Sequence, residues 1–218
     1  MKGLLIKDFK LLLGQKRFFA IVIGFGLFFM FLNENPSAGI GYVTMLLTIF
    51  TLSTMSYDEF DNGMAYLMTL PVTRKTYVRE KYVFAGVIAL LAAIGSTIMA
   101  LISSYIMNIS FVMLEAVVTG GTLILVAWLI LAVTIPVQMK FGAEKSRVAM
   151  MMAMGAIFIV FMLLMKGIEY FGGDLTGVVS FFVGLDAGLL IFMGVFAAIL
   201  VLLASCGTSV RIILKKEY

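Results

Sequence analysis

Six apolar runs follow one another along this chain with only short polar breaks. They cover residues 18–32, 37–55, 82–107, 116–139, 148–165 and 187–210. The chain is 62% hydrophobic over 218 residues, whereas a soluble domain is usually about half apolar. Burying six such runs in one water-soluble core is not feasible, so the bilayer must be the solvent for most of these side chains. Hydrocarbon offers no hydrogen bonds to the backbone, so long apolar runs mean helices. The expected fold is an all-α integral membrane protein with six transmembrane helices, in one domain spanning residues 1–218.

Charge supplies the orientation. Lys2, Lys7, Lys10, Lys16 and Arg17 precede the first run. Arg74, Lys75, Arg79 and Lys81 lie between the second and third. Lys140, Lys145 and Arg147 lie between the fourth and fifth, and Arg211, Lys215 and Lys216 follow the sixth. With six spans, all of these fall on one side and only Lys166 on the other. Lys and Arg are enriched in cytoplasmic loops, which puts both termini in the cytoplasm. The net charge of +4 then reflects topology and anionic lipid, not nucleic acid, because no basic stripe interleaves with aromatics.

Residues 1–14 are too short to span. Met1, Leu5, Phe9, Leu12 and Leu13 share a broad helical face, with Lys7 and Lys10 opposite. An interfacial amphipathic helix leading into the first span is expected. A secretory signal is the competing reading, but no convincing cleavage site follows the run at 18–32. The outer connection at 166–186 contains an 11-residue apolar stretch, 175–185, of re-entrant or interfacial length.

Little here supports chemistry. The chain has no His, the commonest general base and transition-metal ligand. Its single Cys206 sits within the last run and reads as a small buried residue. No catalytic, cofactor-binding or metal-binding residues are expected. No run carries a central Asp, Glu, Lys or Arg, which argues against a carrier coupled to protons or sodium. An intramembrane enzyme would lack paired acids to work with.

The most telling segment is 57–81, which joins the second and third runs. Asp58, Glu59 and Asp61 are expected to open a short helix, where acids complement its dipole. Gly63, Leu67 and Leu70 align on one face. Pro71 should stop that helix, and Thr73 should cap the next. A plain connector would be polar, yet this one keeps Met64, Tyr66, Leu67, Met68, Leu70 and Val72. Apolar residues on a helix outside the bilayer want a groove, which marks the segment as a docking element.

Two stretches carry a family resemblance: the lysine-rich opening MKGLLIKDFKLL at 1–12, and LMTLPVTRKTYVREKY at 67–82. With the length and span pattern, they make the whole chain resemble an ABC-2 type exporter permease. Within that family it is most similar to small permeases of peptide exporters, such as those of phenol-soluble modulins. The resemblance implies a bacterial cell-membrane protein, an elbow helix at 1–14 and a coupling helix within 57–81. It also implies a second permease copy or sister permease, and two copies of a separate ABC ATPase that holds ATP and magnesium. The nearest thing to a phosphate-binding loop, Gly142-Ala143-Glu144-Lys145-Ser146, lacks the required spacing.

The ATPase-facing residues would be Asp58, Glu59, Asp61, Gly63, Tyr66, Leu67, Leu70, Pro71, Val72, Thr73 and Arg74. Lys140, Glu144 and Lys145 of a second cytoplasmic loop at 140–147 would add a lesser contact. Met150, Met151 and Met154, with Gly24 and Gly26, are candidates for a substrate path, since Met adapts to variable apolar ligands. The expected function is the membrane subunit of an ATP-driven exporter of amphipathic cargo: a peptide toxin, an antimicrobial or a lipid-like compound. A secondary carrier or channel, or a scaffold that uses the same docking element, is the alternative.

Four residues in the third run, Ala92, Ser96, Ala100 and Ser104, form a ladder of small side chains suited to close helix packing. Pro136 should kink the fourth run.

Overall fold

The computed structural model describes residues 1–32, 36–60, 63–109, 113–170 and 187–216, with many side chains between 143 and 191 left out. All regular structure among them is helical. The helices are α1 (Lys2–Gly14), α2 (Lys16–Leu32), α3 (Pro36–Phe50), α4 (Leu52–Glu59), α5 (Gly63–Thr69), α6 (Arg74–Met107), α7 (Met113–Tyr170) and α8 (Ala187–Lys215).

Four stretches are long and apolar enough to cross a membrane: Pro36–Glu59, Arg74–Met107, Met113–Gly142 and Phe192–Lys215. The first joins α3 and α4 through a single turn residue, Thr51. Helix α2 has 17 residues, roughly 25 Å at 1.5 Å per residue, short of the hydrocarbon thickness. It meets α1 at a 66° bend. The expected fifth span, 148–165, is helical in backbone, but most of its side chains are not described. Residues 171–186, the bulk of the expected outer connection, lie outside the described residues.

Helix α6 is 34 residues long, well beyond the roughly 20 needed to cross. Its first eight residues hold Arg74, Lys75, Arg79, Glu80 and Lys81. The apolar run expected to span, 82–107, begins after them.

Small residues and hydroxyls hold the spans together. The ladder Ala92, Ser96, Ala100 and Ser104 is buried throughout. Ser96 Oγ lies 3.0 Å from Thr44 Oγ1 of α3, and Ala100 packs in a cluster with Met30 and Ile40. The ladder therefore serves packing within the chain. At Gly26 a Cβ would stand 2.3 Å from Val43 Cγ2, so only glycine lets α2 come this close to α3. Across the other seam, the Tyr82 hydroxyl reaches Ser205 Oγ at 2.7 Å and Ser209 Oγ at 2.8 Å, and Ser205 donates to the Ala132 carbonyl. Gln138 donates to Leu52 O and Ser56 Oγ, both at 3.0 Å, binding α7 to α4.

The expected loop at 140–147 is not a loop. Its backbone is helical except at Gly142, whose φ of 76° breaks α7. Gly142 is the one non-helical residue inside α7; Pro136 sits within the helix. The turn therefore falls inside the expected connection, at a residue where glycine tolerates the left-handed region that a side chain resists.

Candidate functional site

Every charge-bearing segment assigned to one side of the membrane does meet at one end of the bundle. Arg74, at the start of α6, donates to Ile213 O and Leu214 O at 3.2 Å and to Lys216 O at 2.8 Å. These are orphan carbonyls at the end of α8, which a cation satisfies well. Lys216 donates to Met139 O at 3.3 Å and stands 3.8 Å from Glu59 Oε1. A Cβ at Gly142 would lie 3.2 Å from Glu59 Oε2. The α4–α5 element, the break in α7 and the end of α8 thus share one cluster of contacts.

The element is built differently from the sequence expectation. Asp58 and Glu59 close α4 and do not open α5. Helicity continues from Leu52 to Glu59, then Phe60 turns extended with ψ of 138°. Asp61 lies outside the described residues. Helix α5 begins at Gly63, where a Cβ would meet the Asp58 carbonyl at 2.8 Å; the site needs glycine for close backbone approach. α5 ends at Thr69, ahead of Pro71. Thr73 caps α6 with an extended backbone and accepts from the Thr76 amide at 3.2 Å.

Its two faces have separate partners. Inward, Met64 and Leu67 are buried in the main core with Leu4, Met55, Tyr77 and Ile213, and Met68 and Val72 pack against it. Much of the apolar content of 57–81 is thus consumed by the chain itself. Outward, Tyr57, Phe60, Tyr66 and Leu70 are exposed, Phe60 and Tyr66 at 72% each, and Pro71 is exposed beside them. Gln15 donates to the Tyr57 hydroxyl at 2.7 Å, steadying that ring against the α1–α2 joint.

Beneath this patch lies a square of four charges. Lys7 contacts both Asp58 and, at 3.2 Å, Asp8. Lys81 contacts both Asp8 and, at 2.7 Å, Asp58. Asp8, Asp58 and Lys81 are all buried. The Tyr77 hydroxyl donates to Asp58 at 3.2 Å and Lys81 to Thr54 Oγ1 at 3.3 Å. Burial opposes the Lys7 charge, but the Asp58 hydrogen bond and the two carboxylate charges outweigh it, so its pKa stands above the usual value. Burial, with Asp58 beside it, holds the Tyr77 phenol well above its ordinary range, so it remains a donor. The square fastens α1 to α4 and α6. Asp58, expected to face a partner, is turned inward and fully engaged. Sequence reasoning missed the square because its members are spread from residue 7 to residue 81. The only signal was Asp8, an acid on an otherwise basic and apolar helix.

The remaining candidates are scattered. Lys140 and Lys145 are exposed, Lys140 with its ammonium 5.2 Å from the Phe141 ring centroid; the Glu144 side chain is not described. Met151 is exposed, while the side chains of Met150 and Met154 are not described. Gly24 faces outward and, with Ile21, Phe25 and Phe28, lines a shallow apolar groove of about 410 Å³. Gly26 is turned away from it into the α2–α3 seam. No group of three or more acids, His or Cys suited to a metal occurs among the described residues.

The family model for ABC-2 family transporter proteins matches residues 3–213. The chain belongs to that family. It is accordingly a multi-pass membrane component of an ABC transporter, a class whose ATP hydrolysis is carried by an ABC ATPase partner. No curated protein and no solved structure matches it.

Proposed function

We propose that this chain is the permease of an ATP-driven exporter in a bacterial cell membrane, with six spans and both termini in the cytoplasm. Two permeases, identical or sister, pair with two ATPase subunits that hold ATP and magnesium. The ATPase grips the outward face of the α4–α5 element, through Tyr57, Phe60, Tyr66, Leu70 and Pro71. The exposed lysines at 140 and 145 flank this contact.

The reading rests on one observation: Phe60, Tyr66, Leu70 and Pro71 form a cluster of exposed aromatic and apolar side chains outside the membrane-length stretches, with exposed Tyr57 in the last turn of one of them, at the end of the bundle where the basic segments gather. Exposed aromatics next to a rigid core are the usual anchors of a protein interface. Closure of the ATPases would press on this face and, through α4 and α6, tilt the second and third spans. The cargo is amphipathic, a peptide toxin, an antimicrobial or a lipid-like compound. The apolar groove along α2 and the methionines that begin the fifth span are adaptable surfaces for it.

Co-purification with the partner ABC ATPase tests the docking. Combined Tyr66→Ala and Leu70→Asp substitutions should abolish ATPase capture while membrane insertion is kept. Undiminished capture by that variant would overturn the docking face; transport that continues without any ATPase would favour a secondary carrier.

A further inference from the structure

The charge square leaves one carboxyl over. Glu80 sits one residue before Lys81 in α6 and has no exposed surface. Neither of its oxygens has a hydrogen-bond partner among the described residues. It shares a helical face with Tyr77 and Phe84, three residues before it and four after. The Phe84 ring meets Phe9 of α1 edge-on, 5.2 Å between centroids. The charged groups that act on Glu80 are Lys81 on its own helix, Asp8 and Lys7 on α1 and Asp58 on α4. Those four are already paired with one another, each lysine with both aspartates. The square is neutral by itself. An ionised Glu80 would therefore be a buried, uncompensated negative charge, which a protein avoids by keeping the proton or by exposing the group.

We propose that Glu80 is a proton-dependent clasp: protonated, it lets α1 stay closed over α4 and α6, and loss of its proton loosens that packing. Burial raises the Glu80 carboxyl to about 7, and opening α1 to water would return it toward the ordinary carboxylate range, about 4.3. Between those two values the closed form holds one proton more than the open form. Closure is therefore strongest at low pH. It weakens as pH rises toward about 7 and is level above it, because both forms are then ionised. One proton moves the opening equilibrium by up to about tenfold per pH unit. The device adjusts how readily the N-terminal helix parts from the docking element, and it holds whether or not an ATPase binds there.

Thiol labelling of the full-length chain in permeabilised vesicles tests this. Leu12→Cys, on the buried face of α1, reports opening in a Cys206→Ser background. Its rate is divided by that of exposed Leu13→Cys at each pH, which cancels thiolate chemistry. The ratio should climb by about 100-fold at most between pH 5 and 7 and then level off. With Glu80→Gln the ratio should stay low and flat. A flat ratio with Glu80 present, or an unchanged climb in the Gln variant, would overturn the clasp. Should the Gln variant fail to insert, Glu80→Met keeps the volume, removes the titrating group and must likewise give a flat ratio.

Discussion

The inward and outward faces of the α4–α5 element are drawn from one short stretch of sequence, yet they do opposite work. Asp58, Met64 and Leu67 turn inward and are fully occupied, by Lys7 and Lys81 in one case and by the core in the others. Phe60 and Tyr66 turn outward and are largely exposed, and Tyr57 and Leu70 beside them are about half exposed, Tyr57 held at its hydroxyl by Gln15. Residue type does not separate the two sets, since each contains large apolar side chains. The difference teaches that an element able to pass a push into the spans needs one face fastened to its own protein, and here that face is the inward one. In this chain the inward face is fastened by buried ion pairs, and the outward face presents the aromatic surface proposed for docking.

The inward face gives the largest expected effect. Lys81→Ala removes the cation shared by Asp8 and Asp58 and leaves two buried carboxylates with only Lys7. Breaking a buried pair in this way costs about 3–5 kcal/mol, read as loss of thermal stability of the purified permease. Replacing all four members of the square with apolar residues of similar size should cost less than the single change. If the single change were the milder of the two, the square would not be a fastening.

Next comes the core beneath α5. Leu67→Ala should cost about 2–5 kcal/mol through lost burial and the cavity left behind, and ATPase capture should fall only in step with the amount of folded protein. Capture lost at full thermal stability would mean that Leu67 touches the partner directly, and the division between the faces would fail.

Much of the architecture was legible along the chain. Spans two, three, four and six rest on apolar runs that needed no tertiary information. The 92–96–100–104 ladder was readable from its four-residue spacing, and Thr73 from its place between Pro71 and a helical run. What was not legible depended on distant partners. Asp58 looks like a solvent-facing acid until Lys7 and Lys81 are brought to it, 51 and 23 positions away. The expected loop at 140–147 contracts to Gly142 because a single positive-φ residue is enough to turn the chain. Its close approach to Glu59 could not be foreseen from either segment alone. The basic segments were counted on one side by a statistical rule, and the Arg74 and Lys216 contacts give that grouping a physical form.

The proposed docking makes the outward face of α5 the place where the motor subunit holds this permease. A photo-crosslinking amino acid at position 66 tests it most directly, with position 105 as the control. Tyr105 is 86% exposed but stands near the opposite end of α6. A permease–ATPase adduct should form from position 66 and none from position 105. An adduct from 105, with none from 66, would contradict the docking.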